Sequence, residues 1–252
     1  MTPKEFIKRQ NIFNCNNCQD IIQLQAKHNI TVRPLFWQGE GVENIPLAIM
    51  GGNPSVVGTP NEPRSDDRRD FDYYFDYYQN RFQSEMINKT EKEEINQSRA
   101  RKDRISIPLR HWTMCHNLAK KLITHCEIQR WKDYVLMEAI HCFYNSENDL
   151  KSVQRAEVAE TCFNKHTRNM LLFLKPKMIV LLGDIPYELL NQLGYLGELD
   201  VCKFSKMKIE GEIDGESITL HIPVMRHRAP NFRGRFYCDD KSYKAFRKFA
   251  GF

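Results

Sequence analysis

Four short apolar runs constrain the fold more than any other feature of this chain. They read IPLAIM at 45–50, DYVLMEAIH at 133–141, KMIVLLG at 177–183 and ITLHIPVM at 218–225. Each is of strand length and apolar enough to be buried on both faces, as the strands of a parallel sheet are. Helical patterns lie around 107–126, 154–174, 184–193 and 239–250. Strands alternating with helices predict an open α/β sheet covered on both sides. The first run ends abruptly in LAIMGGNPSVVG, at 47–58. Paired glycines and a proline after a buried strand predict a tight loop at its carboxyl end, where ligands sit in sheets of this kind.

With 252 residues, 27% of them charged and 41% hydrophobic, the chain is expected to form one domain over 1–252, neither disordered nor a membrane protein. The amino terminus, MTPKEFIKRQNIFN, has no apolar core of a signal peptide, and no later stretch approaches a membrane span. A cytoplasmic location is the expectation. Residues 59–104 read as an inserted segment, with an aromatic cluster, DFDYYFDYYQNRF, followed by the polar EMINKTEKEEINQSRARKDR. No internal repeat is evident. The net charge of +5 is concentrated late: residues 203–252 hold eleven Lys and Arg against six Asp and Glu. A basic carboxyl-terminal surface suits a phosphate backbone or a solvated basic face.

Eight cysteines in a reducing compartment point away from disulfides. Cys15 and Cys18 form a CxxC pair, Cys142 follows the second strand and Cys162 lies on the next helix. Four thiolates of this kind suit zinc or an iron-sulfur cluster. Cys115, Cys126, Cys202 and Cys238 read as buried thiols, which pack as small hydrophobes. His116 and His125 share one helical pattern and lack convergent ligand spacing.

Taken in order, these features resemble the uracil-DNA glycosylase superfamily, most closely its iron-sulfur branches. MGGNPS is similar to that superfamily's first motif, a strand followed by a G-x-N-P-G/S loop. Cys15, Cys18, Cys142 and Cys162 match the order of its cluster ligands. AEVAETCFNKHTRNMLLFLKPKMIVLLGDIPYELL is similar to its helix, strand and following helix, and PVMRHRAP stands where it carries a strand ending in His-Pro-Ser. The resemblance covers nearly all of the chain outside 59–104. The chain departs from the pattern in having His-Arg-Ala at the last motif. It also departs at Glu138, where uracil-excising relatives carry the asparagine of N-x-x-x-C.

The resemblance implies a three-layer α/β/α sandwich around a mostly parallel, four-stranded central sheet. It implies a 4Fe-4S cluster on Cys15, Cys18, Cys142 and Cys162, with zinc as the alternative, and a monomer that acts on DNA. It places Asn53 where the attacking water is positioned and His227 where a donor meets the departing base. Gly52, Ser55, Phe71 and Glu138 fall at base-binding positions. Phe71 is chosen from an aromatic run that includes Tyr73, Tyr74 and Phe75.

The residues add chemistry to that frame. An excised base must leave the stack and be held by its edge. Glycines at 51 and 52 let backbone amides approach it. A donor aimed at the departing anion lowers the barrier by about 3–4 kcal/mol. A glutamate can accept from the N4 amine of cytosine but repels O4 of uracil when ionised. The expected substrate is therefore a modified cytosine or another amino-bearing base rather than plain uracil, in repair or in defence against phage. Arg226, Arg228, Arg233 and Arg235 are expected to clamp phosphates. No lysine sits in the matched motifs where it could serve as a Schiff-base nucleophile, so hydrolysis without strand cleavage is expected.

Overall fold

The computed structural model describes residues 1–12, 15–27, 36–52, 71, 75, 108–124, 127–129, 132–142, 152–228 and 238–252. Five strands form one sheet: β1 (Leu47–Gly51), β2 (Tyr134–Glu138), β3 (Ile179–Leu182), β4 (Phe204–Ile213) and β5 (Glu216–His227). Their order is β2-β1-β3-β5-β4. All neighbours are parallel except β4, which runs antiparallel to β5.

All four expected strands are present, and β4 corrects the count from four to five. It was not expected because it is apolar on one side only. Met207 and Ile209 are buried, while Lys206, Lys208, Glu210 and Glu212 are exposed. Asp214 and Gly215, with φ of 53° and 83°, make the tight turn into β5.

The helices are α1 (Pro3–Gln10), α2 (Gln19–Lys27), α3 (Pro108–Leu122), α4 (Ser152–Cys162), α5 (Arg168–Leu174), α6 (Asp184–Gln192) and α7 (Asp240–Ala250). One π-helical turn, Phe163–Thr167, joins α4 to α5. Alternation of side chains along the strands divides the interior into two cores. Ala48, Met50, Val135, Met137 and Leu181 pack with Phe6, Phe163, Leu171 and Leu189 on one face. Leu47, Ile49, Tyr134, Val180 and Met225 pack with Leu118, Leu122, Tyr243 and Phe246 of α3 and α7 on the other. Each such side chain contributes about 1.5–3 kcal/mol on burial, so the sheet is held from both sides.

Local signals set the helix ends. Thr2 and Glu5 form a reciprocal cap at the start of α1, the Thr2 amide donating to Glu5 Oε2 at 2.7 Å. Asp239 caps α7 by accepting from the Ser242 amide at 2.8 Å. Among the described residues no helix is long and apolar enough to cross a membrane.

Cys202 and Cys238 are joined in a disulfide, which corrects the reading of both as free thiols. The segment before β4 and the start of α7 bring their Cα atoms to 5.3 Å, inside the range a disulfide spans. Cys126 lies outside the described residues, as does nearly all of 59–104.

Candidate functional site

Four parallel strands end in one row. Gly51 stands opposite Glu138 in the register of β1 and β2, and Leu182 stands opposite His227 in that of β3 and β5. The Gly183 amide donates to the His227 carbonyl at 2.9 Å. The chain order turns back at β1, which lies between β2 and β3, and ligand crevices open at the carboxyl ends of strands at such a point. Gly51 and His227 are two strand spacings apart, about 10 Å. The carbonyls of Gly51 and Gly52 accept from Ala139 and Ile140, both at 2.9 Å, which fixes the first turn of the loop against β2.

Glu138 is the unusual group here. It lies on the same sheet face as Leu136 and Gly51, and a methyl group on Gly51 would collide with its carboxyl. Glycine at 51 therefore makes room for the side chain. Glu138 is only 8% exposed, and burial pushes its pKa up to about 8. Among the described residues its carboxyl makes no hydrogen bond or ion pair. A buried carboxyl without a partner keeps its proton, which makes Glu138 a neutral donor and acceptor at pH 7. The buried thiol of Cys115 on α3 is close enough for Glu138 to help raise its pKa, after burial itself.

His227 is fully buried and turned towards α7. Burial lowers its pKa, outweighing the opposite pull of the Arg228 carbonyl, so the ring is neutral at pH 7. A carbonyl only accepts, so Nδ1 carries the proton and donates to Arg228 O at 2.6 Å. Nε2 is then bare and accepts from the Tyr243 hydroxyl at 2.7 Å. In this arrangement the imidazole offers no donor through Nε2.

Arg226 is committed inside the fold. Its guanidinium lies 3.7 Å from the centre of the Tyr187 ring and donates to Asp184 Oδ1 at 2.9 Å and to the Leu199 carbonyl at 2.7 Å. The expected phosphate contact is thus replaced by a clamp between β5 and α6. Arg228 is exposed. Phe71 packs on the sheet face opposite Glu138, its ring 5.9 Å from Phe75, which stacks on Phe36 at 5.4 Å. Gly52 faces Ile185 of α6. Asn53, Ser55, Arg233 and Arg235 lie outside the described residues.

The thiols gather just beyond β2, on the face opposite Glu138. Cys18, Cys142 and Cys162 are buried together, and Cys162 hydrogen-bonds to both Cys18 and Cys142. Sharing protons in this way, with burial, raises the pKa of the Cys18 thiol. The Cys162 thiol is raised chiefly by its bond to Cys142. The three form a chain centred on Cys162. Cys15 is half-buried at the rim, where it meets Asn17 Nδ2 at 3.0 Å and His166 Nε2 at 3.3 Å. Burial, with Lys165 beside it, lowers the pKa of His166 to about 4.

Among the described residues no group of three or more His, Cys, Asp or Glu is drawn together as tightly as one metal ion requires. Zinc needs four donors at about 2.0–2.3 Å. Cys18, Cys142 and Cys162, linked through shared protons, and Cys15 at their rim are four soft donors of the kind that an iron-sulfur group takes in place of those protons. The π-helical turn and the part played by His166 were not anticipated; a CxxC pair gives no sign of either. The chain matches no protein-family model and no curated protein.

Proposed function

We propose that the chain is a DNA glycosylase that takes a flipped-out base into the crevice between β1 and β3 and reads its edge with Glu138. The observation that carries this reading is the buried carboxyl laid across Gly51 at the carboxyl edge of a parallel sheet, without a hydrogen-bond partner among the described residues. Such a group is costly unless a ligand completes its hydrogen bonds.

The protonation of Glu138 refines the substrate reading. A neutral carboxyl donates through its hydroxyl and accepts through its carbonyl, so it pairs with N3 and the N4 amine of cytosine. The same group can turn to serve N3–H and O4 of uracil. The charge that was expected to repel O4 therefore acts only when Glu138 is ionised. When ionised it only accepts, so it keeps one hydrogen bond, from the N4 amine of cytosine or from N3–H of uracil, and base release should fall as pH rises through about 8. Arg228, on the exposed lip of the crevice, is the described arginine best disposed to meet a phosphate.

Cys15, Cys18, Cys142 and Cys162 would hold a 4Fe-4S cluster. When bound, the cluster supplies cross-linking of the amino-terminal segment to the sheet, since cleavage of a glycosidic bond consumes no electrons. A second reading, an iron-sulfur DNA-binding protein without chemistry, draws on His227, whose Nε2 is occupied by Tyr243. One experiment separates them. The purified protein is incubated with DNAs containing uracil, hypoxanthine, cytosine and C5-modified cytosines at pH 6.5 and 9, and released bases are identified by mass spectrometry. Release of an amino-bearing base, reduced roughly tenfold to a hundredfold in Glu138→Ala, is expected. Release of uracil alone with Glu138→Asn unaffected would sink the specificity, and no release from any DNA would leave the binding protein.

A further inference from the structure

We infer that Asn17 and His166 are positioning residues for the sulfur of Cys15, making it the corner of the thiol set that tunes the electron affinity of a bound cluster. This rests on the iron-sulfur reading above. Cys18, Cys142 and Cys162 lie buried in the apolar core and, among the described residues, bond to one another and to the His141 amide. Cys15 is different. Its sulfur meets the amide nitrogen of Asn17 at 3.0 Å and the Nε2 of His166 at 3.3 Å.

Both contacts are held in place from one short turn. Lys165 donates to Asn17 Oδ1 at 2.9 Å, which leaves the amide nitrogen of Asn17 facing the sulfur. His166 follows Lys165 on the π-helical turn that begins directly after Cys162. The wider turn brings both Cys162 and His166, each buried, to the thiol set within five residues. Single π-helical turns inserted in α-helices recur at functional sites. The Nδ1 of His166 is buried without a hydrogen-bond partner. A ligand thiolate only accepts, so the ring's single proton sits on Nε2 and points at the sulfur.

Hydrogen bonds to cluster sulfurs withdraw charge from the metal and favour the reduced state. Each stabilises added negative charge more than it stabilises the oxidised cluster. The relevant change is one electron taken up by the cluster from an external reductant, with no proton leaving His166.

The test is a potentiometric titration with dithionite on the loaded, full-length protein, followed by absorbance and electron paramagnetic resonance. His166→Leu is expected to lower the midpoint by enough to change the ratio of reduced to oxidised cluster about tenfold, which is about 59 mV for one electron. His166→Gln keeps a donor and is expected to return most of that change. Asn17→Leu is expected to act in the same direction. In metal-free protein, alkylation of Cys15 by iodoacetamide, measured against Cys142 by mass spectrometry, should change at least threefold in His166→Leu. Equal midpoints in a loaded His166→Leu protein, or a Gln variant no better than Leu, would overturn the inference and leave the cluster standing. Failure of the wild type to take up iron and sulfide would remove the cluster reading and this inference with it.

Discussion

Two groups of polar side chains flank the end of β2, four residues apart in sequence, and they are built on opposite terms. Beside Cys142 the described groups bond to one another: thiol to thiol, sulfur to Asn17 and His166, Asn17 to Lys165. At Glu138 the carboxyl lies over a glycine and makes no hydrogen bond among the described residues. The first arrangement is one of bonds already made among its own members. The second lacks a hydrogen-bonding partner of its own size. The contrast teaches that burial alone does not say what a site awaits; the bonds already made within it do.

The largest expected effect is at the thiols. Cys162→Ala removes the link of the chain that touches both Cys18 and Cys142, and iron and sulfide retained after anaerobic reconstitution should fall to background. Retention of a full complement would break the contrast, since the corner would then not be organised by its thiols.

Next comes the glycine. Gly51→Ala drives a methyl group into the Glu138 carboxyl, and overpacking of this kind costs about 1–3 kcal/mol. Glu138→Ala should restore much of that loss in the double variant, giving a coupling of about 0.5–3 kcal/mol in urea unfolding. Strict additivity would mean that the carboxyl has room elsewhere.

The smallest effect per step is also the most specific. Glu138 has a folded pKa raised to about 8 from an ordinary value of 4.5. The folded state therefore binds the proton more tightly, and the stability this gives is fully present below about pH 4.5 and lost as pH rises through about 8. Between those limits the wild type should lose up to about 1.4 kcal/mol per pH unit relative to Glu138→Gln, and the two curves should run parallel above about pH 9. Parallel curves throughout would place a partner on the carboxyl.

Much of the architecture was readable from the chain because β1, β2, β3 and the inner half of β5 are buried on both sides and so appear as unbroken apolar runs. β4 escaped because its outward residues are lysines and glutamates, yet strict alternation from Lys206 to Glu212 followed by Asp214-Gly215 is a hairpin signal. α1 was also missed, although Thr2-Pro3-Lys4-Glu5 carries a cap. The site was legible in part. The gathering of Cys18, Cys142 and Cys162 agrees with the spacing that singled them out. The environment of Glu138 depends on a glycine across the strand pair, which sequence distance hides. The clamp on Arg226 and the hold on His227 arise from Tyr187 and Tyr243, aromatic residues of separate helices brought in by the register of β5.

Arg226 and His227 are consecutive, and a strand sends consecutive side chains to opposite sides. One reaches Tyr187 in the layer above the sheet and the next reaches Tyr243 in the layer below. A single dipeptide thus rivets both helical layers to the same rim. Neither layer can slide without straining the other, so a change of preferred guest at this opening is left to exchanged side chains and to the loops beyond it, with the frame itself staying put.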